Sequence, residues 1–60
     1  MRDVIHDCYV DIYDVEPSDN LIEEILNELP IGIKFLAKEW GEWDTEVREK
    51  IYEFIKKEDY

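Results

Sequence analysis

The fold of this 60-residue chain is decided by residues 4–15, which read VIHDCYVDIYDV. Most of these residues are β-branched or aromatic, and the segment holds none of the leucine, alanine, glutamate or lysine that fills the rest of the chain. Such a composition favours a β-strand, because these side chains pack well on a pleated surface. The apolar residues also fall on one helical face opposite the aspartates, so an α-helix is the alternative.

The sequence after this segment predicts three short helices. Ser18 follows a break at Glu16-Pro17 and is predicted to cap the first helix, which extends to about Leu29. Pro30 disfavours helical geometry in the residue before it and therefore ends that helix. The apolar stripe of this helix consists of Leu21, Ile22, Ile25, Leu26 and Leu29.

The second and third helices are separated by a turn at Gly41, because glycine readily adopts the left-handed conformation that stops a helix. The apolar positions of the second helix are Ile33, Leu36, Ala37 and Trp40. Asp44 is predicted to cap the third helix. The apolar stripe of the third helix consists of Val47, Ile51, Phe54 and Ile55. Trp40 and Trp43 lie on either side of Gly41 and are predicted to be core side chains that close the turn.

These elements predict a single α+β domain over residues 1–60, with one N-terminal strand followed by three short helices; an all-α fold is the alternative. A lone strand leaves its backbone N–H and C=O groups without partners. The sequence offers no second strand or hairpin turn, so the strand is predicted to pair with another chain, most simply in a homodimer.

The charge of the chain is strongly negative and unevenly distributed. Asp and Glu number 17 against 7 Lys and Arg, which gives a net charge of −10. Residues 1–30 hold nine acids and one base, whereas residues 31–60 hold eight acids and six bases. Such a field repels nucleic acid and anionic lipid and attracts basic surfaces. We therefore expect a basic protein surface as the partner, and no direct binding to nucleic acid or membranes.

The candidate partner-binding residues follow from this asymmetry. Rows of fixed carboxylates can substitute for the phosphates of a nucleic acid, and tyrosines beside charges are common anchors in interfaces. A face that is merely solvated is the alternative interpretation. The predicted set is Asp7, Tyr9, Asp11, Tyr13, Asp14, Glu16, Glu24 and Glu28.

An enzymatic function has little support in the sequence. His6 and Cys8 are the only histidine and cysteine, and no glycine-rich loop that could bind an oxyanion lies near them. The aspartates lack the glycine-containing spacing of a calcium loop, and no Cys/His spacing suggests zinc. We expect no catalytic residue, metal or cofactor. The lack of a leader and of a long apolar run predicts a cytoplasmic protein.

Residues 36–48 resemble the helix-turn-helix family. Ala37 stands four residues before Gly41, and Val47 stands six residues after it, as in that motif. Glu42 departs from the family, because an apolar residue usually follows the glycine. The resemblance implies DNA reading by the helix after the turn, but glutamates on that helix would oppose phosphates.

The chain as a whole resembles short accessory proteins encoded by bacteriophages, in the acidic, tyrosine-containing segment 9–14 and the Leu/Ile/Glu-rich helix that follows. The resemblance implies an inhibitor that occupies the nucleic-acid site of a host defence or nucleic-acid-processing protein, as a DNA mimic does. An acidic adaptor that binds a protein without mimicking DNA is the second hypothesis. A divergent helix-turn-helix transcription regulator is the third.

Overall fold

Residues Arg2–Tyr13 form an α-helix, α1, in the computed structural model, which describes all 60 residues. The helices that follow are α2 (Asp19–Glu28), α3 (Ile31–Trp40) and α4 (Thr45–Glu58), and no strand is present. The predicted strand is therefore wrong, and the fold is all-α rather than α+β. The homodimer that was inferred from strand pairing loses its structural basis with the strand.

The physical reason for this correction is burial. As a helix, α1 places Val4, Ile5, Cys8 and Tyr9 in the core. Each fully buried apolar side chain stabilises the fold by roughly 1.5–3 kcal/mol, whereas the whole scale of β-propensity spans only about 1 kcal/mol. A helix also satisfies its own backbone hydrogen bonds, which a single strand cannot do.

The predicted helix caps are confirmed. The Ser18 hydroxyl accepts a hydrogen bond from the backbone N–H of Leu21 at 3.1 Å, at the start of α2. The carboxylate of Asp44 accepts from the N–H of Glu46 at 2.9 Å, at the start of α4. Gly41 ends α3 with a φ of 95°, a region that favours glycine. These local signals fix the helix boundaries independently of tertiary packing.

The helices enclose one apolar core. Helix α1 packs against both α2 and α4, and α3 packs against α4. No polar or charged residue is buried. The buried residues are Val4, Ile5, Cys8, Tyr9, Ile22, Ile25, Leu29, Ala37, Val47, Ile51 and Ile55. The stripes predicted for α2 and α4 supply six of these eleven residues, so the two helices are oriented as their sequence patterns indicate.

The predicted core role of the two tryptophans is wrong. Trp40 is 51% exposed and Trp43 is 55% exposed. Only Ala37 is buried on α3, because α3 packs mainly on α4, whereas α1 packs on two helices. The end of α3 and the turn after it therefore present large apolar surfaces to solvent.

No helix of this fold is long and apolar enough to cross a membrane. The longest helix, α4, has 14 residues, fewer than the roughly 20 apolar residues that a bilayer core requires.

Candidate functional site

Asp7 and Asp11, two of the predicted partner-binding residues, share one guanidinium group within the protein. Arg48 Nη2 on α4 donates to Oδ2 of both carboxylates, and Arg48 Nε donates to Asp7 Oδ2 at 3.2 Å. The two aspartates stand one turn apart on α1, so a single arginine reaches both. The hydrogen bonds to Asp7 and Asp11 raise the pKa of Arg48 above its ordinary value. This ion-pair cluster joins α1 to α4 and partly neutralises the aspartate row.

Arg48→Met is expected to lower the free energy of unfolding by about 1 kcal/mol, because the side chains of all three residues are one-third to one-half exposed and solvent weakens their attraction. The same change in an Asp7→Asn/Asp11→Asn background is expected to cost much less. Urea unfolding of the three variants and the wild type gives the coupling energy directly. Equal costs in both backgrounds would show that the ion pairs contribute nothing.

Tyr9 and Tyr13 form an aromatic pair rather than two free anchors. Their ring centroids are 4.7 Å apart with the planes tilted by 49°. Tyr9 is only 9% exposed and belongs to the core, whereas Tyr13 is half-buried. Of this pair, only Tyr13 presents part of its surface to a partner.

Asp14 and Glu16 lie in the loop between α1 and α2, and both are exposed. Asp14 ends α1 in the left-handed conformation with a φ of 59°. Glu16 Oε1 lies 3.4 Å from His6 Nε2, and the two form an ion pair whenever the imidazole is protonated. Both carboxylates of the loop therefore remain accessible to a partner.

Glu24 and Glu28 of α2 lie close to the C-terminal end of α4. The Tyr60 hydroxyl donates a hydrogen bond to Glu28 Oε2. Burial, that hydrogen bond and the charges of Glu28, Glu24 and Glu58 all raise the pKa of Tyr60. One carboxylate therefore contacts this phenol, and the charges of two others, from α2 and α4, act on it.

The phenol of Tyr13 also feels a charge from this end of the molecule, that of Asp59. Burial is the main cause that raises the pKa of the Tyr13 phenol, and the charge of Asp59 raises it further. None of the four carboxylates around these two tyrosines forms a salt bridge. We call this surface the acidic end; its carboxylates are Glu24, Glu28, Glu58 and Asp59.

The structure thus divides the predicted partner-binding set. Glu24 and Glu28 belong to the acidic end, as does Asp59, whose charge acts on Tyr13; Asp14 and Glu16 stay exposed on a loop, and Asp7 and Asp11 bind Arg48. Sequence reasoning missed Glu58, Asp59 and Tyr60. The signal that could have found them is the helix α4 itself, because its length carries its last turn to the same end as the C-terminal half of α2.

A second surface, also missed, lies on α3. Ile31 is 71% exposed and Phe35 is 61% exposed. With Lys34 and Lys38 they line a shallow cavity of about 240 Å³. Ile31 and Phe35 are four residues apart on the opposite side of the helix from the predicted apolar positions, which is the pattern that could have revealed them.

The segment that resembles a helix-turn-helix has α3 and α4 on either side of its turn, with Ala37 and Val47 buried between them. Arg48 near the start of α4 is held by Asp7 and Asp11, and Glu46, Glu49 and Glu53 are exposed along the same helix. DNA contact needs positive charge, and the charge of Arg48 is neutralised by the two aspartates within the protein.

No group of His, Cys, Asp and Glu side chains is arranged to hold a metal ion. Cys8 is fully buried, and its Sγ lies 3.7 Å from the backbone oxygen of Arg48. Because α1 is a helix, His6 and Cys8 do not share the face that a strand would have given them. Comparison with known proteins finds no matching family, no similar curated protein and no similar solved structure.

Proposed function

We propose that this protein is an acidic inhibitor of the kind encoded by bacteriophages, which binds the basic nucleic-acid site of a host protein in the cytoplasm as a DNA mimic. The observation that supports it best is the acidic end, where Glu28 accepts a hydrogen bond from Tyr60, the charges of Glu24 and Glu58 act on the same phenol, and none of these carboxylates forms a salt bridge. Charges that form no salt bridge within the protein stay available to a lysine- or arginine-lined cleft.

The net charge of −10 adds a long-range contribution. A field of this size accelerates encounter with a basic surface and weakens as salt screens it. The binding surface that we propose consists of Glu24, Glu28, Glu58 and Asp59, together with the exposed carboxylates of Asp14 and Glu16 and the exposed edge of Tyr13. Asp7 and Asp11 contribute only the one negative charge that Arg48 leaves uncompensated.

Removing charge from the acidic end is expected to weaken partner binding by tenfold or more, because each close pair with a partner lysine or arginine contributes on the order of 1 kcal/mol. The test variant is Glu24→Gln/Glu28→Gln/Glu58→Gln, in which glutamine can still accept the hydrogen bond from Tyr60. The matched control, Glu39→Gln/Glu49→Gln/Glu53→Gln, removes the same charge from exposed, unpaired positions elsewhere.

The measurement is affinity across a salt series for the protein captured from host cells, with duplex DNA as competitor. The proposal expects the test variant to bind weakly, the control to bind nearly as wild type, and DNA to displace the wild-type protein. If both variants bind equally weakly, the loss of affinity comes from the net charge and not from the position of the carboxylates. If both bind as tightly as wild type, the carboxylates do not belong to the interface.

Free DNA is expected not to bind at physiological salt, which tests the helix-turn-helix regulator. The net charge opposes approach, and Arg48 is engaged by two aspartates. Electrophoretic mobility of labelled duplexes provides the measurement. A sequence-specific shift at micromolar protein would refute the inhibitor and favour the regulator.

An adaptor that binds a protein without DNA mimicry is the second candidate, and one observation favours it. Four of the five large exposed apolar residues, Ile31, Phe35, Trp40 and Trp43, lie on α3 or directly after it. Exposed aromatic residues of this kind anchor protein interfaces. For an adaptor we expect partner binding that neither DNA nor the charge variants disturb.

A further inference from the structure

The side of α3 that faces away from α4 has no partner within the chain. Helix α3 contacts the core through Ala37, which is buried, and through Ile33 and Leu36, which are partly buried. The opposite side, which we call the α3 outer face, consists of Ile31, Lys34, Phe35 and Lys38, with Gly32 at its edge next to Phe35. Ile31 and Phe35 are more than half exposed on this face. A partner that covered these two side chains would gain free energy by removing their apolar surface from water.

Gly32 provides an independent observation at the edge of this face. It lies in the first turn of α3 at an ordinary negative φ, so the backbone there does not require glycine. A Cβ added to Gly32 would meet no atom within 4 Å, so the packing of the chain does not require it either. Glycine weakens a helix relative to alanine, but on an outer face it lets another backbone approach closely.

The charges on this face identify the chemistry of its occupant. Lys34 and Lys38 line the cavity beside Ile31 and Phe35, and neither lysine forms an ion pair. On a chain with a net charge of −10, they form a local positive site. Carboxylates at the edge of an apolar segment complement such a site.

The size of the cavity indicates a side chain rather than a small molecule. Its volume of about 240 Å³ is smaller than the roughly 300–1,000 Å³ of ordinary ligand pockets, and it is open along the helix. Symmetric antiparallel pairing of two copies through α3 would place like-charged lysine rows side by side, which disfavours that form of self-association.

We propose that the α3 outer face binds an acidic amphipathic helix of a partner protein. An apolar side chain of that helix fills the cavity between Ile31 and Phe35, its backbone passes close to Gly32, and its carboxylates pair with Lys34 and Lys38. This interface is independent of the proposed inhibitor function, because none of its residues belongs to the acidic end; it shares Ile31 and Phe35 with the surface that favours an adaptor. With both surfaces, the protein would bind one partner through the carboxylates of the acidic end and another through the α3 outer face.

The experiment uses two synthetic helical peptides of about 15 residues with the same leucines at i, i+3, i+4 and i+7, one carrying glutamates and the other lysines elsewhere. Calorimetric titration at physiological salt and at higher salt measures their affinities for wild-type protein, Phe35→Ser, Lys34→Glu/Lys38→Glu and Gly32→Ala. Val15→Ala serves as the control, because Val15 is also exposed but lies outside this face.

We expect the glutamate peptide to bind at physiological salt, where repulsion by charges more than about 8 Å away is already largely screened, and less tightly at higher salt as its pairing with Lys34 and Lys38 weakens. Phe35→Ser is expected to weaken it roughly tenfold, Val15→Ala is expected to change nothing, and the Lys34→Glu/Lys38→Glu variant is expected to bind the lysine peptide instead at this face. Gly32→Ala is expected to raise the melting temperature of the protein and yet to weaken its binding of the peptide. A purely structural role of Gly32 cannot produce this combination.

Two results would overturn the proposal. One is a glutamate peptide that fails to bind, or that binds the wild type and the Lys34→Glu/Lys38→Glu variant equally. The other is sedimentation of the wild type as a dimer that Phe35→Ser converts to a monomer, since a second copy would then be the occupant. The variants of the acidic end leave this interface intact, so failure here and failure of the proposed function are separate outcomes.

Discussion

Ile51→Ala is expected to lower the free energy of unfolding by about 2–5 kcal/mol, the largest effect of any change considered for this protein. Ile51 is fully buried on α4, the helix that packs against both α1 and α3. Removing three carbons there leaves a cavity that neighbouring helices fill only in part. A domain of this size has a total stability of roughly 3–9 kcal/mol, so a large fraction of the variant should be unfolded at room temperature.

The matched control is Ile31→Ala, the same substitution on a helix at a position that is 71% exposed. Its effect is expected to stay within about 0.5 kcal/mol, since exposed substitutions remove no packing. Urea unfolding followed by circular dichroism measures both variants. Comparable losses would contradict the assignment of Ile51 to the core and Ile31 to the outer face.

Alkali is expected to destabilise the fold through Cys8, which gives the second largest effect. Burial raises the pKa of this thiol from 9.0 to about 11, in spite of the nearby positive charge of Arg48. The unfolded chain therefore releases the thiol proton near pH 9, whereas the native protein retains it to about pH 11. Between these values the unfolded state binds fewer protons, so stability falls as pH rises.

The size of this loss follows from the same shift. One pKa unit corresponds to about 1.4 kcal/mol, so the contribution of Cys8 is fully present below pH 9 and roughly 2–3 kcal/mol is lost by pH 11. The pKa values of Tyr13 and Tyr60 are raised too, and their ionisation adds a loss of the same sign at higher pH. The thiol alone is therefore best isolated between pH 9 and 10.

The control for the alkaline experiment is Cys8→Ala, which lacks the thiol proton. Its stability at neutral pH is lower because the smaller side chain leaves a void. Its slope of unfolding free energy against pH between 9 and 10 should nevertheless be shallower than that of the wild type. Identical slopes would show that the Cys8 thiol is not what couples the fold to pH in this range.

The features that sequence reasoning predicted correctly are local. The caps at Ser18 and Asp44 and the stop at Gly41 depend on hydrogen bonds and backbone angles within a few residues. The stripes of α2 and α4 also repeat at helical spacing without a competing pattern. Such local signals do not depend on residues elsewhere in the chain.

The prediction failed where two patterns coexisted and distant residues decided between them. Residues 4–15 fit a strand by composition and a helix by spacing, and burial against α2 and α4 selects the helix. The internal contacts of the candidate site residues could not be predicted for a related reason. Asp7 and Arg48 are 41 residues apart, and Glu28 and Tyr60 are 32 apart, so no sequence window contains either pair.

The packing of α1 between α2 and α4 has a consequence for how the protein is made. A ribosome synthesises α1 before α4, so the buried face of α1 acquires its contacts with α4 only after residues 45–58 exist. The core shared by these helices is therefore completed only after α4 has been made, when helices distant in sequence can meet. Until then, the high density of carboxylates in its first half keeps the nascent segment hydrated and opposes aggregation.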